Sequence, residues 1–277
     1  MSRERAALNN GFTLVELILV IIVLGIVTTV TTSYLGLGVR MYTEANQRAQ
    51  LLSQSRFAIE RLTRELRNVV PNSVRIQGSC IEFMPLSAAA RYSIAPFDSA
   101  GTSLTFYSAL PEWQDADASN DNILVKNGDY VSIYPTLSSH IYSDIVSAGV
   151  EKRTVQIAAH PVAAAGTVSL SIASNRFPAQ SSSQRMYLMP SSPVSYCLTN
   201  GQLRRYDNYA VTATQQVMNP SGGILMATDL QQDSFQPFTI APAVLQRNSV
   251  VHIILKFRSD FGDDLFFNQE VHIPNVP

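Results

Sequence analysis

Charged side chains are scarce in this sequence, and neither sign of charge dominates. Asp, Glu, Lys and Arg make up 15% of the 277 residues, against roughly a quarter in an average soluble domain. With 20 basic and 21 acidic residues, the formal net charge is −1. A protein that neutralises phosphates needs a strongly basic surface. The composition therefore disfavours nucleic acid as a partner of the bulk of the chain.

The sequence also lacks the motifs that indicate an enzyme or a cofactor site. It has no Gly-x-Ser-x-Gly nucleophile elbow and no glycine-rich phosphate-binding loop. Its histidines show neither i,i+4 pairing nor a cysteine at zinc spacing; they are His140, His160, His252 and His272. We therefore expect no enzyme activity, no metal and no cofactor.

One acidic segment has oxygen ligands that could bind Ca²⁺. It contains Asp115, Asp117, Asn120, Asp121 and Asn122. A calcium-binding EF-hand loop counted from the first of these would need glycine at the sixth position and an acid at the twelfth. Those positions hold Asn120 and Lys126. The segment is therefore interpreted as a solvated turn rather than a calcium site.

The N-terminus contains a long apolar run with a single ionisable side chain. Residues 12–30 include only Glu16 in that class, and about 20 apolar residues suffice to cross a bilayer. Arg3 and Arg5 precede the run, whereas the next basic residue is Arg40. The positive-inside rule then predicts a single-pass inner-membrane protein with a cytoplasmic N-terminus and an exported remainder.

A cleavage site for an ordinary secretory signal is missing after this run. Such a site reads Ala-x-Ala, whereas residues 28–32 read Thr-Thr-Val-Thr-Thr. A plain membrane anchor gives no reason for Glu16, because an acid within an apolar span costs a few kcal/mol. The acid therefore indicates a function.

The residues around Glu16 resemble a known export signal. Gly11-Phe12-Thr13-Leu14-Val15-Glu16-Leu17 resembles the type III signal of type IV prepilins and type II secretion pseudopilins. The resemblance implies that a prepilin peptidase cuts between Gly11 and Phe12 and that the new N-terminal Phe12 is methylated. It also implies assembly with other major and minor pilins on an inner-membrane platform, with membrane lipid around the anchor.

The physical chemistry of these residues agrees with that implication. A very small side chain at Gly11 gives a protease access to the backbone. The free amine of Phe12 is a cation that needs a partner in a fibre core, and Glu16 of a neighbouring chain can supply one. A buried ion pair of this kind specifies register more surely than it adds stability.

The N-terminal helix is predicted to continue beyond the membrane. Apolar residues recur every seven positions on one side, and the other side is charged; the repeat is Ala45, Leu52, Ile59 and Leu66. Pro71-Asn72 stops the run. We therefore expect a leader over residues 1–11, a transmembrane segment over 12–33 and an amphipathic continuation over 34–70.

The remainder, residues 71–277, alternates in the manner of β-strands. Strands are predicted over residues 79–83, 104–107, 130–134, 185–189, 194–198 and 203–206. One hairpin turns at Asn200-Gly201, and another joins residues 250–257 to 265–272. Loops are predicted over residues 87–100, 111–122 and 178–183. The fold class is thus α+β, with a long N-terminal helix packed on an antiparallel, periplasmic β-domain.

The two cysteines, Cys80 and Cys197, lie far apart in sequence. In a cytosolic protein they would be two unrelated thiols, whereas an even number in an exported protein favours a disulfide. Since the N-terminus predicts export, we expect a Cys80–Cys197 disulfide.

The β-domain resembles the large minor pseudopilins: the MshO-type proteins of MSHA pilus biogenesis, the PilW-type minor pilins and the J-type secretion pseudopilins. The resemblance lies in residues 64–67, 80–85, 193–197, 203–206 and 271–277, and the MshO type is preferred. It implies a minor pilin that assembles into, initiates or caps a type IV pilus. A type II secretion pseudopilin, and a pilus-tip adhesin or DNA-uptake subunit at the cell surface, are the alternatives.

Overall fold

The computed structural model describes residues 12–108, 125–164, 166–232, 235–242, 248–259, 262 and 264–274. The chain forms two compact units, residues 1–51 and 52–277. A long N-terminal helix and antiparallel sheets make up the described residues, which confirms the predicted α+β class.

The N-terminal helix, α1, extends from Leu14 to Arg67. The helix begins two residues after the predicted start at residue 12 and ends three residues before the predicted end at residue 70, and a turn at Pro71 follows. Asn72 takes a left-handed backbone with φ of 62°, which a continuing helix cannot accommodate. The helix itself ends at Arg67, before the predicted stop, and the turn at Pro71-Asn72 prevents it from resuming.

The last turns of α1 bury one stripe of apolar side chains in the second unit. Ala58, Leu62 and Leu66 are fully buried, and Ile59 is nearly so. Their spacing of three and four residues places them on one face of a helix. Two of them, Ile59 and Leu66, belong to the predicted seven-residue repeat.

The second unit is built mainly from strands. In the described residues these are β1 (Arg75–Gln77), β2 (Cys80–Phe83), β3 (Ala88–Ile94), β4 (Gly101–Tyr107), β5 (Tyr130–Ile133), β6 (Thr154–Ala164), β7 (Thr167–Asn175), β8 (Arg185–Met189), β9 (Val194–Thr199), β10 (Gln202–Tyr206), β11 (Ile224–Ala227), β12 (Phe238–Ala241), β13 (Ser249–Arg258) and β14 (Asp264–Ile273). A short helix, α2 (Ser139–Val146), follows β5.

These strands form two open sheets and a closed barrel, and all their pairings are antiparallel. One sheet has the order β1-β2-β9-β10-β11, and the other has the order β12-β13-β14. The barrel has the order β3-β4-β7-β6-β5-β8. The chain therefore leaves the five-stranded sheet after β2, completes the whole barrel, and re-enters that sheet as β9.

The barrel has a core of its own. Alternate residues of its strands point inward, including Leu104 and Phe106 on β4 and Leu170 on β7. A second cluster lies outside the barrel wall, where Tyr187 and Met189 of β8 belong to the same buried group as residues of α2. Period-two alternation lets one strand contribute to both clusters.

One predicted loop was wrong. Residues 87–100 contain strand β3, which pairs with β4 on one side and β8 on the other. Its Ala-rich sequence has low strand propensity, but Ala88 and Ala90 pack against the barrel core. Small side chains fit the inside of a narrow barrel, so tertiary packing overrides propensity. Residues 178–183 form no regular element, as predicted, and residues 111–122 lie outside the described residues.

Both predicted hairpins are confirmed. Asn200 and Gly201 have φ angles of 52° and 71°, and they connect β9 to β10 with Thr199 opposite Gln202. Positive φ at both central positions is the requirement of a tight type I′ turn. Strands β13 and β14 pair along their full length, from Ser249–Ile273 to Arg258–Asp264.

Candidate functional site: the helix start and the disulfide-closed sheet

The start of α1 is capped by a residue whose role the sequence reasoning missed. The backbone N–H of Glu16 donates to Oγ1 of Thr13 at 3.3 Å, and the helix begins at the next residue, Leu14. Thr13 and Glu16 thus hold the N-cap and N3 positions, which is the spacing of a capping box. The signal was legible as Thr-x-x-Glu ahead of an apolar run.

This cap gives Glu16 a local role as well. Glu16 is exposed and lies in the first helical turn. A negative charge there interacts favourably with the helix dipole and contributes about 0.3–1 kcal/mol to stability. The aromatic side chain of Phe12 is 75% exposed. Gly11 lies outside the described residues, so its position as the scissile residue stays a prediction.

The helix that follows is long and apolar enough to cross a membrane, and its apolar stretch is not buried within the protein. The polar residues after Val27 do not contradict this. The hydroxyls of Thr28, Thr31 and Thr32 each donate to the carbonyl four residues earlier, at 2.7–2.8 Å. Because the helix satisfies these hydroxyls internally, they tolerate an apolar environment.

The predicted disulfide joins Cys80 and Cys197. The two residues lie directly opposite each other on β2 and β9, with their Cα atoms 4.1 Å apart. The N–H of Leu198 donates to the carbonyl of Ser79 at 3.0 Å, so the cysteines occupy the close, non-hydrogen-bonded type of antiparallel pair. The pairing predicted from export and even cysteine number is confirmed.

The position of the disulfide matters because of the chain topology. Strand β2 is the last element before the barrel, and β9 is the first sheet strand after it. The covalent bond therefore joins the entry and the exit of the inserted barrel. It holds the barrel's two ends together within the sheet that contacts the end of α1.

Ion pairs attach the end of α1 to this sheet. Glu65 accepts from Nε of Arg61 at 3.1 Å and from Nε of Arg205 on β10 at 3.0 Å. Arg205 also pairs with Asp207. The Arg205 side chain is only 12% exposed, so this interaction is better shielded from solvent than a surface pair. The arrangement fixes the rotation of the helix end on β10.

A buried ion pair connects the same sheet to α2. Nε of Arg75 on β1 donates to Oε1 of Glu82 on β2 at 2.8 Å, and the carboxyl is fully buried. Burial raises the pKa of Glu82, and the positive charge of Arg75 opposes that rise. The guanidinium lies 3.6 Å from the ring centroid of Tyr142 in α2. Removing either charge would leave the other unpaired in the interior.

The other polar candidates do not converge in the described residues. Among these residues, no group of three or more His, Cys, Asp or Glu side chains could hold a metal ion. His252 lies opposite Glu270 at 3.3 Å on a sheet face, and His140 contacts Thr136. The acidic segment from 115 to 122 lies outside the described part of the chain.

Comparison with known proteins places one similarity on the N-terminal segment. Residues 7–32 match the family model described as the prokaryotic N-terminal methylation motif. No curated protein and no solved structure matches the chain. The match covers the helix start and the apolar run, and no match favours one class of β-domain over another.

Proposed function

We propose that this type IV pilin-like chain is a minor pilin or pseudopilin that acts by assembly, with an MSHA-like pilus as the preferred system. The observation that carries the proposal is the methylation motif at residues 7–32, continuous with a helix of membrane-spanning length. In this segment the only acid, Glu16, lies in the first helical turn. The motif is typical of structural pilins and pseudopilins, which act by assembly.

In this proposal each segment has a separate task. The prepilin peptidase removes residues 1–11 by cutting between Gly11 and Phe12, and Phe12 is then methylated. Residues 12–33 anchor the chain in the inner membrane, and residues 34–70 extend the helix. Residues 71–277 are exported to the periplasm, where the disulfide supports an oxidising location.

Glu16 is proposed to guide assembly. After cleavage, the amine of Phe12 in one subunit is a cation with no partner of its own in a low-dielectric helix bundle. Glu16 of the neighbouring subunit supplies the opposite charge. Losing one member of a buried pair costs about 3–5 kcal/mol, which is enough to exclude a subunit from a growing fibre.

The cap at Thr13 provides a matched control for this idea. Glu16→Gln removes the charge but keeps the side-chain length, and glutamine also suits the N3 position of a capping box. Thr13→Ala removes the capping hydroxyl but keeps the acid, at a cost of about 1 kcal/mol. Each variant is expressed beside its wild-type partner subunits, and processed protein is quantified in membranes and in sheared fibres.

We expect Glu16→Gln to be cleaved and membrane-inserted but absent from fibres. Thr13→Ala should be cleaved and still incorporated, because it retains the charge that the neighbouring amine requires. Normal incorporation of Glu16→Gln would show that the acid acts only within its own helix. A block at cleavage in that variant would instead assign Glu16 to recognition by the peptidase.

A further inference from the structure

Two arginines face each other on the outside of the barrel. Arg91 on β3 lies directly opposite Arg185 on β8, and on its other side it lies opposite Tyr107 on β4. All three side chains are exposed. Directly opposed residues in antiparallel strands project to the same face, so they form a row across three strands. We call Tyr107, Arg91 and Arg185 the arginine row.

The arginine row carries positive charge that no carboxylate balances in the described part of the chain. Like charges directly opposite each other destabilise a sheet, because their Cβ atoms lie only about 4.5–5.5 Å apart. The contact of Arg185 with the neutral hydroxyl of Tyr187 does not offset this repulsion. By contrast, Arg176 on the same barrel pairs with Glu151 at 2.6 Å. An anion between the two guanidinium groups would relieve the repulsion.

An open groove of about 730 Å³ runs along the row, lined also by Ala89, Ala90 and Gln184. Gln184 has a φ of 56°, a left-handed conformation that is uncommon for a residue other than glycine. Its carbonyl accepts from the N–H of Tyr92 on β3 at 2.9 Å, which holds it in place. Backbone strain of this kind is concentrated at binding and catalytic sites.

The surface beside the row consists of hydroxyl side chains. On the outer face of β4 and β7, three consecutive cross-strand pairs supply only phenol, threonine and serine groups; they are Tyr107–Thr167, Thr105–Ser169 and Ser103–Ser171. Hydroxyls both donate and accept hydrogen bonds. A ligand bound to the row would therefore contact two cations, an aromatic ring and several hydroxyl groups.

Two classes of polymer fit this surface poorly. Nucleic acid binding relies on several phosphate contacts, whereas the row supplies two cations on a chain of net charge −1. An extended peptide commonly binds by adding a strand to a sheet edge, and a closed barrel presents no such edge. Recognition at this place must come from side chains.

A polysaccharide with carboxylate groups offers partners for the arginines, the tyrosine ring and the hydroxyl groups of this surface. The arginine forks bind a carboxylate in bidentate fashion. The exposed ring of Tyr107 offers a flat apolar face with a polar tip, and the hydroxyls and the amide of Gln184 suit sugar hydroxyls. We propose that the arginine row and its groove bind an acidic polysaccharide through a uronate carboxylate. This activity goes beyond the proposed assembly role and does not depend on it.

The test uses the full-length chain in detergent and immobilised polygalacturonate, with neutral dextran as the uncharged polymer. Arg91→Gln and Arg185→Gln each remove one cation, and Arg176→Gln removes a cation from the same barrel outside the row. A hydrogen bond to a charged group contributes about 1.5–3 kcal/mol. We therefore expect each row variant to bind about tenfold more weakly or worse, with Arg176→Gln close to wild type.

Circular dichroism spectra of the variants establish that any loss of binding is not a loss of folding. No binding of polygalacturonate by the wild-type chain would overturn the proposal. Equal binding of dextran would also overturn it, because recognition would then not depend on the carboxylate. An equal loss of binding in Arg176→Gln would overturn it too, because the loss would then not be specific to the row. Tighter binding of a single-stranded oligonucleotide through the same two arginines would reassign the row to nucleic acid.

Discussion

Removing the Cys80–Cys197 disulfide should destabilise the exported unit without changing its fold. The perturbation is the double variant Cys80→Ala and Cys197→Ala, which leaves no lone thiol. The two positions are held opposite each other by the β2–β9 ladder, which pairs four residues of each strand. Because that ladder remains in the double variant, we expect the native pairing to persist.

The magnitude follows from the length of chain that the bond encloses. The cysteines are 117 residues apart, and in the chain-entropy model a loop of that size contributes about 5 kcal/mol at 25 °C. The effect should be confined to global unfolding. While the sheet is intact, the β2–β9 pairing already holds the two ends of the barrel together. The disulfide therefore does not change the free energy of opening the barrel alone.

The assay is urea unfolding of the purified full-length chain in detergent, followed by far-ultraviolet circular dichroism and linear extrapolation. Native-state hydrogen exchange then locates the change. Amides of β2 and β9 should lose protection, whereas those of β4 and β7 should open with unchanged free energy. A loss of less than about 1 kcal/mol, or a loss that begins in the barrel strands, would refute this reasoning.

Two further changes test particular contacts. A Cβ at Gly223 would lie 2.6 Å from the carbonyl oxygen of Arg205 at a φ of +69°, whereas Gly78 has a φ of +58° with nothing within 4 Å. Gly223→Ala should therefore lower the free energy of unfolding by about 3 kcal/mol or more. Gly78→Ala should lower it by only about 1 kcal/mol. Similar losses in the two variants would contradict the steric clash expected at Gly223. A hydrogen bond from Arg258 lowers the pKa of Asp264 to about 2, below its value of 3.8 in the unfolded chain. The ionised Asp264 therefore stabilises the folded state above pH 4, and this contribution is lost as pH falls from about 4 to 2. The melting temperatures of wild type and Asp264→Asn should differ at pH 6 and converge at pH 2.

The elements that could be predicted from the sequence are those with a local signal. The helix was legible from its apolar run and its proline stop, and the β9–β10 turn from Asn200-Gly201. The long β13–β14 hairpin was legible as two runs rich in β-branched and aromatic residues separated by a short polar segment, and the alternation in burial along each strand is seen only in the structure. In each case the information lies within a few residues of the element.

The elements that were missed depend on partners distant in sequence. Strand β6 contains His160-Pro161 and several alanines, and its ladder with β7 has irregular register, so no clean alternation marks it. The insertion of the barrel between β2 and β9 is a fact of pairing across more than a hundred residues, which local patterns do not encode. The arginine row likewise appears only once the register of β3 with β4 and β8 is known.

The most direct test of the central claim is the mass of the mature N-terminus. The chain is extracted from inner membranes of cells that contain the prepilin peptidase, and its intact mass is measured beside that of Gly11→Val. We predict a wild-type chain that starts at Phe12 and carries one methyl group, and a Gly11→Val chain that keeps residues 1–11. A wild-type chain that retains its leader, or equally efficient leader removal in Gly11→Val, would contradict the assignment of this protein as a processed pilin-like subunit.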